Sequence, residues 1–166
     1  SKMTASILAV YYADKFASDE QRKQLAKARE KARRWVLDSP VASHEDLVSK
    51  LGALPLLGVF GKAMDETRKR ILEAQRPDGG WGQMPGMESD AYATGFTLFT
   101  LQRVGFEVDE PAYQRGVAFL LASQRDDGSW FVKKRAKPIQ RFFDNGDPHG
   151  EHQFISIAGT CWATTA

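Results

Sequence analysis

The chain has 166 residues, of which 42% are hydrophobic and 27% are charged, proportions typical of an ordinary globular protein. Its 23 lysines and arginines nearly balance its 21 aspartates and glutamates, which argues against a general polyanion binder and so against a nucleic-acid partner. The single cysteine, Cys161, excludes an internal disulfide framework, and no apolar run reaches the roughly 20 residues of a transmembrane segment.

Hydrophobic periodicity predicts seven helices in chain order, over residues 4–16, 20–37, 44–61, 62–76, 89–104, 110–123 and 153–166. Polar helices alternate with apolar ones, as two concentric layers would require, and we expect the apolar helices to form the inner layer. His44 is expected at a helix start, and Asp109 is expected to be an N-cap. The chain starts abruptly in an apolar helix over residues 5–12 and stops inside an apolar run over residues 154–166, so we expect residues 1–166 to be a single domain cut from a longer protein.

A sequence unit recurs at a spacing of 49 residues. Residues 70–83 read RILEAQRPDGGWGQ, and residues 119–132 read FLLASQRDDGSWFV. In each copy, turn-forming residues end one helix and a further apolar helix follows, so the unit predicts a helical hairpin of about 40 to 50 residues. The residues that recur in register are Gln75, Gly79 and Trp81 in the first copy and Gln124, Gly128 and Trp130 in the second.

This pattern of Gln, three residues, Gly, one residue and Trp resembles the QW motif of the squalene-hopene and oxidosqualene cyclases, in the superfamily that also includes the prenyltransferase repeat proteins. The resemblance covers residues 66–166 well and residues 1–62 only by pattern. It implies an all-α fold of the α/α-toroid type, a partial α-α barrel of helical hairpins. It also implies a structural role for the Gln, Gly and Trp residues of both copies.

In the cyclases of this superfamily, the general acid is the middle carboxylate of a D-x-D-D motif at the start of an inner helix. The corresponding residues 90–93 here read DAYA, so Asp90 is the one candidate catalytic carboxylate and Tyr92 takes the place of the proton donor. A phenol, with an ordinary pKa of about 10, is too weak an acid to protonate an alkene. The resemblance therefore implies no cyclase acid in this segment.

Protein prenyltransferase β subunits share the toroid and hold zinc with an Asp, a Cys two residues later and a His on a later inner helix. Asp90 matches the first ligand, but Tyr92 stands at the Cys position and Gly159 at the His position. Because a catalytic zinc site needs at least three protein ligands, the resemblance implies no zinc site in this segment. We expect no cofactor.

The second copy carries an insertion over residues 131–153, which resembles a long loop of uncharacterised bacterial proteins of the squalene-cyclase-repeat type. Four of its residues could converge on a divalent metal, although turns and a helix N-cap are the favoured interpretation: Asp144, Asp147, His149 and His152. Arg135 and Lys137 belong to a basic cluster that could receive a diphosphate or a lipid head group, with a solvated loop as the favoured alternative.

Aromatic residues on the apolar helices complete the candidate ligand-binding set. Tyr11, Tyr12, Phe96, Phe99 and Trp162 could line an apolar cavity, although core packing is the favoured interpretation. With Tyr92, Arg135 and Lys137, the rings of Phe96, Phe99 and Trp162 form the set of possible pocket residues.

Two functions are consistent with the sequence. The first is a non-catalytic toroid domain that binds a lipid, an isoprenoid or a partner protein. The second is part of a terpenoid cyclase or prenyltransferase-type enzyme whose catalytic residues lie outside this segment. A third class, the complement-like or sugar-processing α/α barrels, requires a thioester Cys-Gln pair or paired catalytic carboxylates, and neither is evident.

Overall fold

The computed structural model describes residues 2–135, 137 and 141–166. The described residues form seven α-helices and no strand, which confirms the predicted all-α fold class. The helices are α1 (Lys2–Phe16), α2 (Asp19–Asp38), α3 (His44–Leu56), α4 (Lys62–Glu73), α5 (Ala91–Arg103), α6 (Pro111–Ser123) and α7 (Gln153–Thr165), and a 3-10 turn (Gly150–His152) leads into the last. Among these residues, no helix has both the length and the apolar character needed to cross a membrane.

The predicted helix starts agree with the structure more closely than the predicted ends. Helix α3 was expected to continue to residue 61 but ends at Leu56, because Gly58 and Gly61 adopt φ values of 69° and 68°, in the left-handed region that ends a helix. Helix α4 ends at Glu73 and not at residue 76. The prediction of Asp109 as an N-cap was wrong, since Glu110 holds that position in front of Pro111.

His44 does begin a helix, as predicted, and the residue before it caps that helix. The Ser43 hydroxyl accepts a hydrogen bond from the backbone N–H of Asp46 at 3.0 Å. The Asp46 carboxylate in turn accepts from the backbone N–H of Ser43 at 3.2 Å. This reciprocal capping box fixes the start of α3.

The first compact unit, Ser1–Glu73, contains α1, α2, α3 and α4. The otherwise polar α2 buries Val36 in a core that α3 and the segment after it complete with Ala53, Leu54, Leu57 and Val59. These apolar contacts hold an amphipathic helix whose remaining faces are charged.

The second compact unit, Ala74–Ala166, contains α5, α6 and α7 and both copies of the repeated unit. Helices α5 and α7 run in the same direction and approach closely, because a Cβ on Gly95 would lie only 2.5 Å from the backbone carbon of Trp162. A Cβ on Gly159 would likewise lie 2.6 Å from the side chain of Val132. The glycines thus allow a close helix pair that positions the candidate site. The concentric layers and the single domain over residues 1–166 stay predictions.

Candidate functional site

The two copies of the repeated unit form the same hydrogen-bonded turn. In the first copy, Gln75 Nε2 donates to the carbonyl of Gly79 at 2.8 Å, and in the second, Gln124 Nε2 donates to the carbonyl of Gly128 at 3.0 Å. Both glycines have positive φ, 88° and 81°, a backbone conformation that is unfavourable for residues other than glycine. The Gln and Gly positions therefore define one local structure that occurs twice.

The tryptophans connect each turn to the helix that follows it. Trp81 is fully buried and Trp130 is 6% exposed. Their backbone N–H groups donate to the hydroxyls of Thr94 and Thr160, each at 3.0 Å. The indole N–H of Trp130 also donates to the carbonyl of Leu120 at 2.8 Å, near the end of α6. These contacts support a structural role for both rings.

The first turn also packs against α6. Gln75 Nε2 donates to the carbonyl of Ala112 at 2.7 Å, and Arg115 donates to Gln75 Oε1 at 2.6 Å. A Cβ on Gly79 would lie 2.5 Å from the carbonyl oxygen of Arg115, so glycine is required at this contact. The second turn is more open, because a Cβ on Gly128 would meet nothing closer than 4.0 Å.

Asp90 is the N-cap of α5, and protein donors engage both of its carboxylate oxygens. Oδ1 accepts from the backbone N–H of Ala93 at 2.9 Å, and Oδ2 accepts from Gln83 Nε2 at 2.8 Å. Oδ2 also pairs with the Arg135 guanidinium at 3.3 Å. Burial raises the pKa of Asp90, whereas these hydrogen bonds and the charge of Arg135 act to lower it. The arrangement is that of a capping carboxylate held in an ion pair.

The basic cluster predicted in the insertion is partly neutralised. Arg135 contacts Met87 Sδ as well as Asp90, and Lys134 pairs with Glu151 at 3.1 Å. Lys137 is exposed. The other residues of this stretch, 136 and 138–140, lie outside the described residues.

An aromatic face, defined here as Tyr92, Phe96, Phe99 and Trp162, lies on α5 and α7. The three α5 residues are partly buried and follow one another at helical spacings of four and three, so they share one side of the helix. The ring of Trp162 lies 4.7 Å from Phe96 and 5.2 Å from Phe99, between centroids. The structure thus brings together three of the predicted pocket aromatics. Tyr11 and Tyr12 pair with each other on α1, at 5.2 Å.

The two aspartates proposed as metal ligands cap turns in the insertion. Asp144 Oδ1 accepts from the backbone N–H of Gly146 at 2.9 Å, and Asp147 Oδ1 accepts from that of His149 at 2.9 Å. These are the local hydrogen bonds expected of turn-forming aspartates. Within the part of the chain that the structure describes, no group of three or more His, Cys, Asp or Glu side chains is placed to hold a metal ion.

The two histidines anchor the insertion to other parts of the unit. His149 Nε2 lies 2.8 Å from the Ser129 hydroxyl, which donates to Asp127 at 2.6 Å. His152 Nδ1 accepts from the backbone N–H of Lys134 at 3.0 Å. Both imidazoles therefore hold loop backbone or turn side chains in place.

The sequence did not indicate how the extended residues 130–134 lie on α7. The backbone N–H of Val132 donates to the Ser156 hydroxyl at 2.9 Å, between the bonds of Trp130 to Thr160 and of Lys134 to His152. Every second residue of the extended segment therefore meets every fourth residue of the helix. The two spacings match, because two extended residues advance about 6.7 Å and four helical residues about 6 Å. The spacing of His152, Ser156 and Thr160 was the available signal. Gln83 and Met87, which contact Asp90 or Arg135, were also missed.

The all-helical fold is consistent with the α/α-toroid class. Comparison with known proteins gives the particular resemblance. The chain is 43% identical to a lanosterol synthase of Aspergillus fumigatus over 106 residues, 63% of this chain and 13% of that protein. It is 40% identical to a squalene–hopene cyclase of Bradyrhizobium diazoefficiens over 105 residues, 52% of this chain and 15% of that protein.

A third relative is a copalyl diphosphate synthase of Streptomyces anulatus, 35% identical over 74 residues, 45% of this chain and 13% of that protein. No family model matches the chain. The predicted resemblance to terpenoid cyclases is confirmed, and the chain is a terpenoid cyclase-like segment. It spans between 13% and 15% of the length of these three relatives.

Proposed function

We propose that this segment binds an isoprenoid or lipid chain on the aromatic face and does not itself cyclise it. The observation that supports the absence of catalysis is the state of Asp90, whose two oxygens accept hydrogen bonds from Ala93, Gln83 and Arg135. A general acid must carry a proton and direct it at the reacting carbon. Because protein donors engage both oxygens of Asp90, neither oxygen is free to direct a proton at a ligand.

The aromatic face supports the choice of ligand. Phe96, Phe99 and Trp162 form a contiguous group of partly exposed rings, and apolar surface of this kind gains about 25 cal/mol for each Å² that a ligand covers. Two of the relatives are named for squalene–hopene cyclisation and copalyl diphosphate synthesis, which indicates isoprenoid chemistry in those proteins. A partner protein with an apolar side chain would use the same rings.

A second candidate function is supported by the relatives themselves. They are named as synthases and cyclases, and the chain spans 13% to 15% of their length. In this alternative, further sequence supplies the D-x-D-D acid or the zinc ligands. The present segment would then contribute the aromatic face to a larger active site.

Titration with farnesol, followed by tryptophan fluorescence, tests the first function. We expect saturable binding that is weakened about tenfold by Phe96→Ala, because the ring contacts Trp162. Leu121→Ala on α6 is the matched control, since it removes an exposed apolar side chain elsewhere. Equal weakening in both variants, or no saturable binding, would contradict the proposal.

Product analysis separates the two functions. The purified chain is incubated with squalene and, separately, with prenyl diphosphates plus zinc and a thiol acceptor. We expect no product in either case. Turnover that disappears in Asp90→Asn would make Asp90 a catalytic carboxylate and would favour the enzymatic alternative.

A further inference from the structure

An open groove of about 430 Å³ lies along α2, in the first compact unit. It is lined by Arg22, Ala26, Arg29, Glu30, Arg33 and Leu57. Three guanidinium groups and one carboxylate give these lining residues a net positive charge. The groove thus concentrates the basic character of α2 at one place.

The three arginines share one side of the helix. Arg29 follows Arg22 by seven residues and Arg33 follows Arg29 by four, so at 3.6 residues per turn they lie within about 40° of one another around the axis. Along the axis they span about 16 Å, at 1.5 Å per residue. Such a row fits an elongated ligand with several negative groups better than a single small anion.

Two features leave the groove prepared for a ligand. Arg29 is half-buried and donates to the carbonyl of Leu56 at 3.1 Å, which fixes its side chain before anything binds. Ala26, between Arg22 and Arg29, has a side chain too short to fill the groove. Because Arg29 is already held in place and Ala26 leaves the groove open, less conformational entropy is lost when a ligand binds.

The ion pairs of the other two arginines are weak competitors. Arg22 pairs with Asp19 at 2.9 Å and Arg33 with Glu30 at 3.8 Å, and all four side chains are at least 45% exposed. Exposed pairs of this kind contribute little to stability, because solvent screens them and ordering two long side chains costs entropy. A phosphate group, which accepts two hydrogen bonds from one guanidinium, can replace a carboxylate in such a pair.

We propose that the α2 groove binds a phosphate-bearing ligand with more than one anionic group, held by Arg22, Arg29 and Arg33. Glu30 opposes binding through its negative charge and limits the affinity. The site does not depend on the aromatic face, which belongs to the other compact unit. Failure of either proposal therefore leaves the other unchanged.

Calorimetric titration of the full chain with inorganic tripolyphosphate tests the site. We expect saturable binding that Arg22→Gln/Arg33→Gln weakens by about tenfold, while the Arg29 bond to Leu56 is retained. The control is Lys62→Gln/Lys69→Gln on α4, which removes the same charge from two exposed i,i+4 ion pairs. Equal weakening in the two double variants, or no saturable binding, overturns the proposal. Circular dichroism checks that each variant is folded.

Removal of the opposing carboxylate gives a change in the other direction. We expect Glu30→Gln to tighten tripolyphosphate binding and Glu66→Gln on α4 to leave it unchanged; weaker binding in Glu30→Gln overturns the proposed arrangement. A second arm uses phosphatidylglycerol and phosphatidylcholine vesicles. Arginine-dependent binding to the anionic vesicles supports the site with a lipid head group as the phosphate source, and binding of tripolyphosphate alone supports it with a soluble ligand.

Discussion

Two opposing effects act on the pKa of Asp90. Burial raises the pKa, its hydrogen bonds and the charge of Arg135 lower it, and burial is the larger effect. A folded-state pKa above the unfolded value means that the contribution of Asp90 to stability is greatest at low pH and falls as pH rises through the folded pKa. At neutral pH the charged form of Asp90 therefore stabilises the fold less than its protonated form does at low pH, although it caps α5.

We expect Asp90→Asn to unfold at neutral pH with a free energy equal to or above that of the wild type, because Asn caps a helix as well as Asp and carries no charge to desolvate. Asp90→Ala removes the cap and should lose about 1 kcal/mol. Urea unfolding of both variants measures the difference. A loss in Asp90→Asn as large as that in Asp90→Ala would show that the ion pair with Arg135 outweighs the cost of burial.

His44 is the second residue whose titration is linked to folding. Burial lowers the pKa of His44 from 6.5 to about 4. The unfolded chain thus binds a proton as pH falls below 6.5, whereas the folded chain binds it only near pH 4, so stability is lost across this window as pH falls.

We expect this loss to reach about 2 to 3 kcal/mol between neutral pH and pH 4.5, and to be absent from His44→Gln. Urea unfolding at several pH values measures it. Because other groups titrate equally in both proteins, the difference between their two pH profiles isolates His44. Parallel profiles would contradict a neutral, buried His44.

At the scale of elements, the packing of α5 against α7 depends on two glycines. A methyl group added at either position would meet a different kind of neighbour. A Cβ on Gly95 would meet the backbone of α7 at 2.5 Å, and one on Gly159 would meet the Val132 side chain at 2.6 Å. Backbone cannot move without shifting a helix, whereas a side chain can be shortened.

We therefore expect Gly95→Ala to destabilise by about 2 kcal/mol or more, within the range of overpacked cores. Gly159→Ala should cost less. Because Val132→Ala also removes buried methyl groups, it should cost less in the Gly159→Ala chain than in the wild-type chain if Val132 obstructs the added methyl. Thermal unfolding of Gly95→Ala, Gly159→Ala, Val132→Ala and the Gly159→Ala/Val132→Ala double variant provides the comparison. Equal costs of Val132→Ala in the two chains would show that Val132 is not the obstructing group.

The buried tryptophans give a prediction for the repeated turns. Trp81→Ala and Trp130→Ala should each destabilise by about 3 to 5 kcal/mol, as expected when a large buried ring is removed. The Trp130 variant also loses the bond from its indole N–H to Leu120. A loss below about 1 kcal/mol in urea unfolding would assign the ring to a ligand-facing position.

The elements that the sequence predicts best are those determined by local patterns. The helices and both turns follow from periodicity and from Gly, Pro and Asp at fixed offsets. Arg135 was expected in a solvated loop, with contact to an anionic ligand as the alternative, but it pairs with Asp90, because a side chain on a long loop acquires its partner only in the tertiary structure. The end of α3 was missed because apolar residues continue to residue 60 past the glycine that stops the helix.

At the scale of the whole molecule, ligand binding and folding are coupled. The aromatic face exists only when α5 and α7 pack together, since Phe96 and Trp162 are far apart in the chain. A ligand that requires this face binds the native chain and not the unfolded one. It must then stabilise the native chain in proportion to its occupancy.

If the proposed function is right, farnesol at ten times its Kd should raise the free energy of unfolding by about 1.4 kcal/mol. Chemical unfolding with and without farnesol, followed by circular dichroism, measures the increase, and the same spectra should be dominated by helix. At the same farnesol concentration Phe96→Ala should gain less, because it lacks a ring that contacts Trp162, while Leu121→Ala should gain as much as the wild type. An equal gain in all three proteins would mean that farnesol binds away from the aromatic face.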